Sequence, residues 1–425
     1  MSEQTNTIFS IEEFKPYQKG WDRRMRELMF RASYYDGSVY RGIHDTAIWS
    51  LGPRAAKEIK PLFLPLARAV DIDAGIIGGD WLFPPVTIEP KSKTWDAARD
   101  ALFDMSRWDT KGILYSHYGA LYGVSGIRVA DVRDEDNKRI ELQPARPTCF
   151  MLVYTGEYTD RADLAFWVER REDEKGVFEY AEVITPKTIR TYRDGALTGF
   201  DDRDAEYINE QGVIPIVEVL HIDDGTEFGE CTYQKSILPL NEVNTMATRL
   251  SEIISKNADP QWTISGAEPS DLKRGSSIMW FLPEGAVVNP VVPTIDIPGV
   301  MEFIREIKSA VYESLPELSF DELRKAGQVA TQTLELQLLE LVIKIERVRP
   351  NYDRGLITAM QMAGKAAVSM GLSELAPLDD PELILDPNRP ILPIMPQDKI
   401  ALRMSEIELE QMEAGRSPRE GDLDA

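Results

Sequence analysis

The sequence predicts an α+β fold, and three observations carry that expectation. Apolar residues recur at helical spacing through both ends of the chain. Between residues 125 and 219 the pattern changes to short β-branched and aromatic segments separated by charged turns, as in a meander of hairpins. The 425 residues are 43% apolar and 28% charged, the balance of a folded protein with two or three structural units.

Residues 1–20 read as a polar N-terminal arm. The opening stretch MSEQTNTIFSIEEF lacks the basic flank and apolar run of a signal peptide, so assembly in a cytoplasm is the expectation. From Trp21, the residues Met25, Leu28, Met29 and Ala32 fall at spacings of three and four, and the helix they predict stops at Asp36-Gly37. A second helix is expected over 62–77, closed by Gly78-Gly79, followed by an extended stretch at 81–88. Two more helices are expected at 94–105 and 110–122, the latter ending at Gly123. Strands are expected at 126–129, 139–142, 150–154, 165–168, 177–180 and 188–192. Residues 131–138 are loop-like and acidic but lack the glycine and closing glutamate of a calcium loop, and read as a solvated hairpin.

The second half returns to helix. Val243, Met246, Leu250, Ile253 and Ile254 share one face, and Asn257-Ala258-Asp259-Pro260 stops that helix. Short strands and turns follow at 262–264, 270–275, 278–282 and 287–288. A helix restarts near Pro298, a residue suited to a first turn, with Val300, Phe303, Ile304, Ile307 and Val311 on its apolar face and Pro316 at its end. After a polar connector comes the strongest helical pattern in the chain. Leu334, Leu338, Leu341, Ile345 and Val348 keep a four-three-four-three spacing, and Leu336, Leu339 and Ile343 add a second stripe. Pro350 predicts a kink, and the pattern resumes through Leu356, Met360 and Met370. The last 55 residues hold 13 acidic and 5 basic side chains, a proline-rich stretch at 381–396 and an amphipathic helix near 400–412.

The residues that usually carry chemistry are sparse. Two cysteines, Cys149 and Cys231, support neither a disulfide framework nor a cysteine-rich zinc site. The three histidines, His44, His117 and His221, lack metal-ligand spacing and read as partly buried or surface imidazoles. No phosphate loop, dinucleotide fingerprint, zincin motif or nucleophile elbow occurs. Carboxylate pairs such as Asp201-Asp202 and Asp223-Asp224 are expected by abundance among 71 acids and read as solvated turns. No apolar run is long enough for a membrane span. The expectation is a protein with no catalytic residues, no cofactor and no metal. The net charge of −23 argues against tight binding of nucleic acid, because phosphate affinity comes from Lys and Arg. It does not exclude a wall past which DNA slides.

The order of segments from Leu238 to Met370 is helix, compact β-rich excursion, helix, short polar loop and long helix. That order resembles the portal proteins, the head-to-tail connectors of tailed double-stranded DNA bacteriophages, of the long-tailed type. Local phrases agree. Ile214-Pro215-Ile216-Val217 leads through Gly225, Phe228 and Gly229 to Leu240-Asn241-Glu242-Val243-Asn244, which resembles the approach to the first stem helix of that family. Tyr34-Tyr35-Asp36-Gly37 resembles its tyrosine-rich turn, and Pro393-Ile394-Met395-Pro396-Gln397-Asp398 its approach to the C-terminal segment. The C-terminal crown portion is short for the family.

The resemblance implies an α/β wing at 21–237, a first stem helix at 238–259, a small β-containing clip at 260–297 and a second stem helix at 298–315. It further implies a tunnel loop at 316–330, a long kinked helix at 331–370 and a short helical crown at 371–425. It implies a ring, usually a dodecamer, at one capsid vertex of the virion, through which double-stranded DNA passes without sequence specificity. The partners it implies are terminase, head-completion or tail adaptors, the major capsid protein and scaffolding protein. Candidate channel residues are Phe320, Asp321, Glu322, Arg324, Lys325 and Gln328 in the loop, with Arg305 and Lys308 on the second stem helix; Glu317 joins the loop acids that would keep DNA from sticking. Candidate clip docking residues are Asp271, Lys273, Arg274 and Trp280. Two rival readings stand beside this one: an acidic α+β enzyme with a carboxylate site, and another virion structural or adaptor protein.

Overall fold

The computed structural model describes residues 7–41, 63–79, 86–88, 92–134, 137–154, 162–174, 176–200, 203–258, 261–265, 285, 287–291, 296–318, 338–379, 383–385, 389–391 and 404–405. Helix α1 spans Gln18–Tyr35 and α2 spans Leu66–Gly78. Strand β1 (Val86–Ile88) precedes α3 (Lys93–Ser106) and α4 (Trp108–Tyr122). Gly123 ends α4 with φ +81°, and a Cβ there would meet the Phe228 carbonyl at 2.9 Å, so this turn requires glycine.

Nine strands follow: β2 (Val124–Asp134), β3 (Asn137–Ala145), β4 (Phe150–Val153), β5 (Leu164–Asp173), β6 (Gly176–Ile184), β7 (Thr188–Arg193), β8 (Ala196–Leu197), β9 (Glu206–Ile208) and β10 (Ile216–Leu220). Five of the six expected strands fall within β2, β3, β5, β6 and β7, and the sixth, 150–154, exceeds β4 by Tyr154. The stretch 131–138 is the end of a long hairpin, as the sequence predicts, with Asp131 opposite Ile140 and Arg133 opposite Lys138. A solvated face of the ribbon accepts these charges without breaking the main-chain ladder.

Helix α5 spans Ile237–Ala258, where the sequence predicts a helix stopped at Asn257-Ala258-Asp259-Pro260. Strands β11 (Gln261–Ser265) and β12 (Val287–Val291) pair antiparallel. Helix α6 runs Ile297–Glu313, its N-terminus capped by Asp296 accepting from the Gly299 amide at 3.0 Å. Helix α7 runs Leu339–Met370 with Pro350 inside it, and β13 (Leu383–Leu385) pairs with β1. The expected strands at 270–275 and 278–282 lie outside the described residues, as does nearly all of the helix expected near 400–412.

Contacts divide the chain into two compact units. The first comprises Met1–Ala32, Arg68–Thr232 and Pro316–Ala425. In it, β10, β2 and β3 form one antiparallel sheet in that order. Period-two alternation puts Ile127, Val129, Ile140 and Leu142 on one face, and Trp95, Leu102 and Phe103 of α3 bury against them with Leu341, Ile345, Val348, Leu356 and Met360 of α7. The spacing of those α7 residues is the one that the sequence shows. A second sheet runs β4-β5-β6-β7-β8, with β9 on β7. Both of its faces are covered. Phe166, Ala181 and Val183 pack with Ile8, Ile11, Phe14 and Trp21, while Ala165, Trp167 and Ile184 pack with Ile214 and Ile216. The N-terminal residues from Ile8 onward are thus part of a core.

The second unit comprises Ser33–Ala67 and Tyr233–Leu315. Helices α5 and α6 pack on one another in it, and β11 and β12 lie between them in the chain.

Candidate functional site

Within the second unit, two asparagines fix the start of α5. Asn241 accepts from the Tyr40 hydroxyl at 2.9 Å and donates to the Tyr34 hydroxyl at 2.8 Å. Asn244, one helical turn on, exchanges bonds of 3.1 Å with both main-chain groups of Phe63. The phrase Leu240-Asn241-Glu242-Val243-Asn244 therefore places two amides on one helix face, and each satisfies buried or half-buried polar groups of the segment from Ser33 to Ala67. At the same end, the hydroxyls of Ser236, just before α5, and Ser314, just after α6, lie 2.7 Å apart.

The two helices bury only part of their apolar surface. Leu240, Val243, Leu250 and Val311 are buried, but Leu238 is 76% exposed, Ile254 49% and Phe303 46%. Phe303 belongs to the stripe that the sequence assigns to the packed face of α6; in the single chain it faces solvent, because one partner helix cannot cover a stripe this wide.

Of the candidate channel residues, Arg305 is exposed on α6 and Lys308 is half-buried. The Lys308 ammonium lies 4.6 Å from the ring centre of Phe63 and 5.7 Å from that of Tyr312, so its charge rests on aromatic faces. Phe320, Asp321, Glu322, Arg324, Lys325, Gln328, Asp271, Lys273, Arg274 and Trp280 lie outside the described residues.

Glu317 is placed differently from the expectation. It is fully buried in the first unit, on a short turn at Pro316–Leu318, and accepts from Lys344 of α7. The reason is a lysine on the flank of α7 next to the Leu341 and Ile345 stripe, which needs a counter-charge where the helix is covered. Lys344 is shared. Its ammonium is 3.6 Å from Asp73 of α2 and 3.4 Å from the Thr232 carbonyl. Asp73 accepts from the Thr232 hydroxyl and lies 3.2 Å from His221 Nε2. His221 Nδ1 is 2.8 Å from the Tyr352 hydroxyl, and both nitrogens are thereby used. His221 is thus fully buried, not a partly exposed imidazole.

Two carboxylates facing one lysine do not ionise alike. For both, burial is the largest influence. At Asp73 the lysine, His221 and Thr232 together outweigh it and hold the carboxyl far below its usual range. At Glu317 burial prevails over Lys344, with Asp73 adding repulsion, and its pKa is pushed up to about 7. Burial lowers that of His221, which is neutral in the fold. Burial opposes the Lys344 charge, but Asp73 and Glu317 overcome it and raise its pKa. Asp73 and His221 are fully buried and Thr232 nearly so. No metal-ligating cluster occurs among the described residues, and no helix among them is long and apolar enough to cross a membrane.

Comparison with family models gives no match, and comparison with curated proteins gives none either. Solved structures do match. The chain is similar to a chain in the neck of an empty gene transfer agent particle computed with C6 symmetry, at 14% identity and TM-score 0.43, covering 84% of this chain and 91% of that one. For the neck of the native particle computed with C12 symmetry the values are 12%, 0.40, 88% and 94%. For the virion of the native particle they are 13%, 0.39, 84% and 87%.

Proposed function

We propose that this chain is a portal protein: a non-enzymatic, ring-forming component of a phage-like virion, which lines the channel for DNA and presents the docking surface for the packaging motor and head-tail adaptors. One observation carries the reading. Two helices, α5 and α6, pack side by side, are joined through a β-hairpin segment, and leave Leu238, Ile254 and Phe303 open to solvent. A head-to-tail ring would cover such residues with the next copy, since a heterologous interface closes when its rotation closes. The clip is the segment 260–297, and the turn at Pro316–Leu318 anchors the near end of the channel loop. The net charge of −23 per copy suits a wall that must not trap DNA.

Mass photometry and negative-stain imaging of the purified chain test this directly. The expected result is one ring-shaped species with a central channel. A monomer that persists across the micromolar range, with and without added salt, would sink the reading. The same preparation is expected to hydrolyse no ATP and cut no DNA.

The channel loop has its own test. Replacing Asp321 and Glu322 by lysine is expected to leave rings intact and to slow packaging, more at low salt than at high, because screening weakens the new phosphate contacts. Normal packaging through intact mutant rings at low salt would remove these two positions from the channel surface.

A further inference from the structure

Strand β10 is an edge strand. In the sheet order β10-β2-β3 it has one neighbour only. The direction of its free side follows from two bonds that bracket it. Val129 N donates to the Pro215 carbonyl at 2.9 Å, and His221 N donates to the Gly123 carbonyl at 2.8 Å. In an antiparallel ladder the bonded residues alternate, so Val217 and Val219 face β2, and Ile216, Glu218 and Leu220 turn their main-chain groups outward. The Leu220 carbonyl meets the Asn351 amide of α7 at 3.2 Å, which agrees with that direction. The outward N–H and C=O groups of Ile216 and Glu218 have no partner among the described residues.

A groove of ≈ 750 Å³ runs along this edge. One wall is a polar face of α7, including Asn351, Arg354, Thr358 and Lys365. The close approach of α7 depends on Gly355, where a Cβ would collide with Val219 and the Tyr115 hydroxyl. The other wall carries Leu152 and Tyr154 at the end of β4. The charges are unequal in availability. Of the lining acids Glu218 is paired with Arg24 at 2.7 Å, while Asp163 and Asp223 also line the groove. Arg354 and Lys365 are exposed and have no ion-pair partner among the described residues.

We infer that this groove receives an extended, acidic peptide segment of a partner protein, which adds to β10 as a further strand. Main-chain bonds to Ile216 and Glu218 would hold it, as strand addition does in general. Its apolar side chains would lie on Leu152 and Tyr154, and its acidic ones on Arg354 and Lys365. Those two cations are eleven helical residues apart, roughly 16 Å at a 1.5 Å rise. Two acidic residues four apart in a strand share a face and are separated by about 13 Å, within reach of two long side chains. The inference does not depend on ring formation.

A fluorescent heptapeptide with valine at alternate positions and glutamate at its second and sixth residues is the probe, titrated by anisotropy against the full chain. Saturable binding is expected. It should fall at least tenfold when alternate peptide nitrogens are methylated, when lysine replaces the glutamates, and in R354E/K365E protein of unchanged melting temperature. Binding indifferent to methylation would overturn strand addition, and no binding would overturn the site. Hydrogen exchange gives a second reading: the Ile216 and Glu218 amides should be unprotected in the free chain and slow with peptide bound. Slow exchange without peptide would mean that the chain itself, or a second copy, already fills the edge, and would overturn the proposed occupant.

Discussion

Leu250→Pro is expected to abolish assembly. Leu250 lies in the middle of α5 and is buried. Proline there removes the amide that bonds to residue 246 and drives its ring into that turn, a local cost of about 3 kcal/mol or more. It also deletes a buried leucine, which by itself costs roughly 2–5 kcal/mol. In a closed ring the same defect recurs at every interface, so the loss multiplies with the number of copies. Size-exclusion chromatography and imaging should show monomer or aggregate in place of rings. Leu250→Met, which preserves volume and helix, should assemble normally. Rings of normal size and yield from the proline variant would show that α5 is not a packed element of the assembly.

The helices of that region were legible because their burial is periodic. Val243, Leu250 and Val311 sit where spacing puts them, and the Leu341, Ile345, Val348 stripe packs on the sheet as its pattern requires. The strands were legible by the same logic at period two, Ile127 with Val129 and Ile140 with Leu142. Short edge elements were not: Ala196–Leu197 is exposed, and Glu206–Ile208, with only Tyr207 half-buried, is too short to show a period. The charged cluster was also hidden. Asp73 and Thr232 are 159 residues apart, and Glu317 meets Lys344 across the polar connector. Polarity in sequence made Glu317 look solvated, when what matters is whether a partner of opposite charge is buried with it. The one available hint was a lysine adjoining the strongest apolar stripe. His221, likewise, has a histidine's sequence signal only, and its burial comes from α2 and α7 closing over it.

That cluster gives the largest expected change in stability. Lys344→Met leaves Asp73 and Glu317 buried without their shared cation. Removing one partner of a buried ion pair costs about 3–5 kcal/mol, which corresponds to a fall in melting temperature on the order of 10 °C. The deficit should depend on pH, and the sign follows from each group. Glu317 has its folded pKa raised from 4.5 to about 7, so its contribution is fully present below about pH 4.5 and is lost as pH rises towards 7. His221 has its folded pKa lowered, so the fold loses stability from this group as pH falls below 6.5. Removing the lysine charge lifts Glu317 further and, at His221, leaves burial as the main influence against a proton while removing the smaller repulsion from Lys344. A proton on either group then offsets part of the missing cation. Both effects make the difference between wild type and Lys344→Met smaller at pH 5 than at pH 8. Thermal melts at the two pH values, on wild type, Lys344→Met and Lys344→Met with Glu317→Gln, provide the measurement. The double variant should recover part of the loss at pH 8 and little at pH 5, because glutamine removes a charge that is already neutralised in acid. A deficit equal at both pH values, or no recovery from Glu317→Gln, would mean that the three charges are not coupled in the folded chain.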